Sequence, residues 1–170
     1  GKFFLRKESN TEYNLYKYNG SAYVFDSALT VADESFDMHY NKCVMSFSDD
    51  GLLFITAHGA NQIKIHTTAN NTDSITITTQ LAGTTTDMYS AAIRGDAKNG
   101  YYLVNSYSTN NGPDNSTITI QRNTGDWKTA NDWTVFKHVD TGVTTTGNGF
   151  ASTNMTHDGT KVLVVYDDKM

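Results

Sequence analysis

Residues 46–68, SFSDDGLLFITAHGANQIKIHTT, decide how the rest of the chain is read. The pair Asp50-Gly51 tolerates the positive φ of a tight hairpin turn. It leads into the nearly continuous apolar run LLFITA, a pattern that suits a strand covered on both faces. A second turn around Gly59 is followed by Ile63-Lys64-Ile65-His66, where apolar and polar residues alternate as in a strand with one wet face. Strand, turn, strand, turn, strand is either an isolated hairpin or one copy of a repeat. The two alternatives imply different folds.

Self-similarity along the chain favours the repeat. Residues 15–57, 63–106 and 118–167 line up with one another. Each holds an alternating strand, a polar turn, a second strand ending in a Thr-rich corner, and a third strand. An Asp/Asn-Gly turn and a fourth, strongly apolar strand then follow. The turn pairs are Asp50-Gly51, Asn99-Gly100 and Asp158-Gly159, and the strands after them read LLFITA, YYLVNS and KVLVVYD. Gly1, followed by KFFLRK, occupies the same place in a further copy. Copies recur about every 50 to 60 residues, within the range of propeller blades. One four-stranded copy cannot hide both its faces, so copies must stack. No stretch sustains a 3.6-residue apolar period, and no long helix is expected.

The expected fold class is therefore all-β: residues 1–170 as a single β-propeller segment of about three four-stranded blades. Gly1 falls inside one blade and Met170 inside another. The segment is expected to belong to a larger ring, or to one closed between chains, since closed propellers need at least about four blades.

Composition agrees and excludes some partners. The charged fraction, 18%, lies below the usual quarter, and aromatics reach 12%, as a pleated, half-buried surface favours. With a net charge of −5 and no Lys/Arg cluster, neither nucleic acid nor an anionic membrane is an expected partner. No run approaches the ~20 apolar residues of a membrane helix, so membrane insertion is not expected either. Cys43, the one cysteine, sits in the apolar run CVMSF and reads as a buried thiol without an internal disulfide partner.

The segment YNLYKYNGSAYVFDSALTVADESFDMHYNKCVMSFSDDGLLFITA resembles the FG-GAP class of β-propeller repeat, the type found in integrin α-chain heads and many secreted proteins. The resemblance rests on the paired strands around Asn19-Gly20-Ser21, the acidic-aromatic corner Asp33, Phe36 and Asp37, and the hairpin at residues 44–57. The second copy keeps Asp87-Met88 and Gly100, and the third keeps Gly149-Phe150 and Asp158-Gly159. The chain departs from the family in two places. Thr56-Ala57-His58-Gly59 stands where the family has its Gly-Ala-Pro, and no D-x-D-x-D-G loop supplies the alternating oxygens of a calcium site. Calcium is thus not implied, and no cofactor is expected. Trp-Asp repeat propellers are a weaker alternative resemblance. Their Trp-Asp pair belongs where His66-Thr67 is found, and Asp126-Trp127 and Asp132-Trp133 have the reverse order.

Residues able to carry chemistry are scattered. His39, His58, His66, His138 and His157 form no metal-binding pair, and no G-x-S-x-G elbow marks a nucleophile. The pairs Asp49-Asp50 and Asp167-Asp168 invite an acid/base reading, but Asp50 is a turn residue and Asp167 ends a strand. No catalytic or metal-binding residue is assigned, and the chain is not expected to be an enzyme. Aromatic side chains are the better candidates. Tyr16, Tyr18 and Tyr23 in the first hairpin, and Trp127 and Trp133 beside a polar turn, can stack on sugar rings, fill an interface, or pack one blade on the next. The sequons at Asn19, Asn70 and Asn115 fall in expected turns, where a glycan fits, whereas Asn154 lies in an expected strand.

The function these features lead us to expect is non-enzymatic: an extracellular or surface-exposed propeller acting in adhesion, scaffolding or assembly through protein–protein contacts. Its partners would be other chains or the missing blades of the same chain. The alternative is a carbohydrate-binding, lectin-like propeller with glycan partners, and a propeller hydrolase ranks third.

Overall fold

A computed structural model describes residues 2–8, 12–30, 45–57, 62–70, 73–78, 87–108, 115–144 and 150–166. Cys43, His39, His58, the corner Asp33-Phe36-Asp37, the loop around Pro113, Gly149 and the pair Asp167-Asp168 lie outside these residues.

The described chain is all-β, and its one helical element is a single 3-10 turn at Ala130–Asp132. β1 (Phe3–Lys7), β2 (Glu12–Tyr18) and β3 (Tyr23–Thr30) form a first sheet. A second contains β4 (Met45–Phe47), β5 (Leu53–Ala57), β6 (Gln62–Thr67) and β7 (Ser74–Thr78). In the third lie β8 (Asp87–Asp96), β9 (Gly100–Ser108), β10 (Asn115–Asn123) and β11 (Trp133–Thr144). β12 (Phe150–Met155) and β13 (Val162–Tyr166) make a fourth. Every pairing is antiparallel and joins strands consecutive in the chain. The described residues thus give two four-stranded sheets, one of three strands and one of two.

The sheets are offset from the sequence repeats by half a unit. Residues 15–57 run through β2 to β5, residues 63–106 through β6 to β9, and residues 118–167 through β10 to β13. Each repeat supplies the last two strands of one sheet and the first two of the next. The turn glycines all lie at hairpins between the first and second strands of a sheet, with φ of 70° at Gly51, 93° at Gly100 and 71° at Gly159.

Two of these turns are equivalent bond for bond. Ser48 Oγ donates to Asp50 Oδ1 at 2.7 Å, and Thr156 Oγ1 donates to Asp158 Oδ1 at 2.7 Å. The Leu52 N–H donates to Asp50 Oδ1 at 3.0 Å, as the Thr160 N–H does to Asp158 Oδ1 at 3.1 Å. Leu53 N–H reaches Ser48 Oγ at 2.9 Å, and Lys161 N–H reaches Thr156 Oγ1 at 3.0 Å. A hydroxyl two residues before the aspartate and a glycine one residue after it therefore build the same turn twice. The underlying signature, Ser/Thr-x-Asp-Gly, matches the tendency of short polar side chains to bond their own backbone in turns.

The core lies between the sheets. Phe3, Leu5, Tyr13 and Leu15 of the first sheet pack on the second, where Phe3 and Phe47 stack at 6.2 Å between centroids. The opposite side of the second sheet, with Leu53, Ile55, Ile63, Ile65 and Ile77, continues the same cluster to Ile93, Tyr101 and Leu103 of the third sheet. A second cluster joins Ala92, Val104, Ile118 and Ile120 of the third sheet to Met155 of the fourth, with Val162 and Val164 packed against it. β4 lies against β8, and β12 against β8 and β9, so the first strands of successive sheets are neighbours.

As the apolar runs predict, β5 and β9 are covered on both faces: Leu53, Phe54, Ile55, Leu103 and Val104 are at most 1% exposed. β13 differs, with Leu163 66% exposed and Val165 46% exposed. Among the described residues, no sheet lies over that side of the fourth sheet.

Candidate functional site

The most distinctive surface is the side of the first sheet turned away from the core. On β2, alternation sends Tyr13 and Leu15 inward and Tyr16 and Tyr18 outward. Pairing with β1 sets Phe4 opposite Tyr16. Pairing with β3 changes register between Leu15 and Tyr16, where Leu15 faces Ser27 but Tyr16 faces Phe25. Asp26 is the extra residue of that bulge. Without the bulge, Asp26 rather than Phe25 would stand opposite Tyr16. The register instead assembles five rings on one face. Centroids lie 5.8 Å apart for Phe4 and Tyr16, 6.1 Å for Phe4 and Tyr23, 6.0 Å for Tyr16 and Phe25, and 5.3 Å for Tyr18 and Tyr23. Edge-on and tilted packing at such distances is favourable, yet Phe4, Tyr18, Tyr23 and Phe25 each remain more than 40% exposed. Tyr16, Tyr18 and Tyr23, singled out in the sequence, thus come together. Phe4 and Phe25 complete the face and were missed, because phenylalanine in an alternating strand reads as core. The signal for them was the register with Tyr16.

The second candidate lies where the hairpin ends of the second, third and fourth sheets meet. Asp49 Oδ2 accepts the Gly95 N–H at 2.7 Å, and the Asp49 N–H donates back to the Gly95 carbonyl at 3.0 Å. Arg94 Nη1 approaches Asp49 Oδ1 at 3.3 Å, while Arg94 Nε donates to Asn154 Oδ1 at 2.9 Å. His157 sits between two carboxylates, with Nδ1 2.9 Å from Asp49 Oδ2 and Nε2 3.1 Å from Asp96 Oδ2. Its pKa is raised, mainly by the hydrogen bond its Nδ1–H donates to Asp49, with the charges of Asp49 and Asp96 adding to it. Asp50 reaches the third sheet through Oδ2, which accepts the Ala97 N–H and the Tyr101 hydroxyl, each at 2.9 Å. Burial opposes ionisation of Asp50, but bonds from Leu52, Ser48, Ala97 and Tyr101 outweigh it and lower its pKa. Burial first, and then Asp50, push the Tyr101 hydroxyl up.

Asp49 and Asp50 are therefore fully engaged in tying turns together, a structural role for the acidic pair. Both nitrogens of His157 are taken, and among the described residues no group of three or more His, Cys, Asp or Glu side chains is arranged to hold a metal ion.

A groove of about 590 Å³ opens beside this junction, between Leu52 and Thr67 of the second sheet and Lys98, Arg122 and Trp127 of the third. Trp127 is partly buried, with Lys128 Nζ 5.4 Å from its ring centroid. Lys128 in turn pairs with Asp73 of the second sheet. Trp133 stands elsewhere: it is 5% exposed, within the core, and its indole N–H donates to the Trp127 carbonyl at 3.0 Å. The two tryptophans thus split, one lining a groove and the other supporting it.

Asn19 is exposed at the β2–β3 turn, where its Oδ1 accepts the N–H groups of Ser21 and Ala22, both at 3.0 Å. Asn70 is exposed in the turn before β7. Asn115 opens β10 opposite Thr144. The Asn154 side chain is held by Arg94. His66 is buried, stacked on Phe54 at 4.7 Å and within 3.0 Å of Thr56 Oγ1. His138 Nδ1 lies 3.1 Å from Thr119 Oγ1.

In comparison with known proteins, no family model matches the sequence and no curated protein is significantly similar to it.

Proposed function

We propose that the chain is a segment of an FG-GAP-like β-propeller that works outside the cell or at its surface, in adhesion, scaffolding or assembly through protein–protein contacts. The propeller reading is supported by meander sheets stacked in chain order, with β4, β8 and β12 side by side as innermost strands would be. The functional reading is carried by one observation, the exposed five-ring face of Phe4, Tyr16, Tyr18, Tyr23 and Phe25. Contiguous exposed aromatic surface of this kind marks interaction sites, and Tyr is favoured at interface anchors. An extracellular setting fits the exposed sequon residues Asn19 and Asn70. The test is retention of proteins from extracellular fluid by beads coated with the chain. Tyr16→Ser combined with Phe25→Ser is expected to abolish retention, and equal retention by the variant would sink the reading.

A second reading, a carbohydrate-binding propeller, is favoured by the groove that Trp127 shares with polar turn groups. It predicts glycan-array hits that Trp127→Ala removes.

A further inference from the structure

We infer that the Asn19-Gly20 turn is a site of spontaneous covalent modification, at which the Asn19 side chain loses ammonia and becomes aspartate or isoaspartate. The Gly20 nitrogen gives up its proton to solvent and attacks Asn19 Cγ, and the new N–C bond closes a succinimide ring. Oδ1 carries the negative charge of the tetrahedral intermediate. The Cγ–Nδ2 bond then breaks, and Nδ2 takes a proton from water and leaves as ammonia. Water opens the ring at either carbonyl, giving aspartate from one and isoaspartate from the other. Water is the sole co-reactant, and nothing is oxidised or reduced.

A glycine after the asparagine leaves the attacking nitrogen unscreened by any side chain, and the chain holds four such pairs: Asn19-Gly20, Asn99-Gly100, Asn111-Gly112 and Asn148-Gly149. Asn111 and Asn148 lie outside the described residues. Hydrogen bonding treats the other two in opposite ways. At Asn19 the bonds fall on the oxygen: Oδ1 accepts the Ser21 N–H and the Ala22 N–H, each at 3.0 Å, and the Ser21 hydroxyl at 3.1 Å. Donors already aimed at the atom where negative charge develops lower the barrier to attack. Among the described residues, Nδ2 of Asn19 donates to no group, and neither does the Gly20 N–H. The leaving group and the nucleophile are thus both free, and residues 19–22 are all exposed to the water the reaction consumes. At Asn99 the bonds fall on the nitrogen instead. Nδ2 donates to both oxygens of Asp96, at 3.1 and 2.9 Å, and the Asn99 N–H donates to Asp96 Oδ1 at 2.7 Å. Ammonia can leave Asn99 only by breaking bonds to an ionised carboxylate, which are among the stronger hydrogen bonds.

The change reaches beyond the one side chain. The turn is clasped by the Asn19 N–H, which donates to the Ala22 carbonyl at 3.0 Å, and by the Tyr18 hydroxyl, which donates to the Gly20 carbonyl at 2.9 Å. Tyr18 stands opposite Tyr23 across it. Aspartate adds a negative charge at this corner, and isoaspartate also inserts a methylene into the backbone that joins β2 to β3. Either product ends the Asn19-Gly20-Ser21 sequon, since neither keeps an amide nitrogen that could carry a glycan.

The test is incubation of the folded chain, made in a host that attaches no N-glycans, in mildly alkaline buffer, followed over time by peptide mapping with mass spectrometry. The peptide holding Asn19 is expected to gain one mass unit at least about tenfold faster than the peptide holding Asn99. The same chain unfolded in guanidinium chloride separates structure from sequence. Both sites are then plain Asn-Gly pairs, and their rates should converge. Asp96→Ser, which removes the partner of Asn99, should speed conversion at Asn99 and leave Asn19 unchanged, with circular dichroism as the check on folding. A folded chain in which Asn99 converts as fast as Asn19 overturns the inference. So does an Asn19 that converts more slowly in the folded chain than in the unfolded one, which would mean that the bonds to Oδ1 lock the turn against attack.

Discussion

His157 joins residues far apart in sequence, bonding Asp49 of the second sheet and Asp96 of the third from its place on the fourth. Its raised pKa gives the contact a defined pH dependence. The protonated ring bonds both carboxylates, so its stabilising contribution is fully present below the ordinary histidine value of 6.5 and is lost as pH rises through the raised folded-state value. Titration of the His157 ring by NMR should give a midpoint above 6.5 in the wild type, and Asp49→Asn should move it down. An unchanged midpoint would mean that Asp49 is not its main partner. Asp158 works with the opposite sign. Hydrogen bonds from Thr156 and Thr160 hold its pKa at about 2, below the ordinary 3.8. Its contribution is present above 3.8 and is lost as pH falls through about 2. Acid unfolding of Asp158→Asn should accordingly lose part of the pH dependence that wild type shows in that interval.

At the scale of elements, the hairpins and the strands they join have different tolerances. Gly95 has φ of 88°, and a Cβ there would lie 2.2 Å from the Gly100 carbonyl oxygen. Gly51 has φ of 70° but open space around it. Gly51→Ala should thus cost about 1–2 kcal/mol from the left-handed backbone alone. Gly95→Ala must also displace backbone and should cost distinctly more, read as the larger drop in urea midpoint. Among leucines, Leu103→Ala should cost about 2–5 kcal/mol, since Leu103 is fully buried. Leu163→Ala, at a 66% exposed site, should stay within about 0.5 kcal/mol. Equal losses would mean that β13 is covered after all. This pair also marks where the sequence was legible. YYLVNS and KVLVVYD are equally apolar, and both read as doubly covered strands, which β9 is and β13 is not. Apolar pattern reports what a strand can bury, and the neighbour that buries it is not encoded locally. Turn chemistry was legible because Asp-Gly acts on its own backbone, whereas the bond from His157 to Asp49 spans 108 positions and leaves no local mark.

At the scale of the whole molecule, large apolar side chains stand exposed on the first and fourth sheets. Phe4 and Phe25 of the first sheet and Leu163 and Val165 of the fourth are each more than 45% exposed. The folded chain is expected to bind the dye ANS, and Phe25→Ser should reduce that fluorescence. A strong signal unchanged by the variant would place the apolar surface elsewhere. The stacking order has a further consequence. Every described strand pairs with strands adjacent in the chain, so no sheet waits for a distant segment. Such a molecule behaves as a one-dimensional array, in which folding can nucleate in any sheet and spread to its neighbours. Vectorial synthesis can complete the described sheets one after another, each closing on its own hairpins before the next is made.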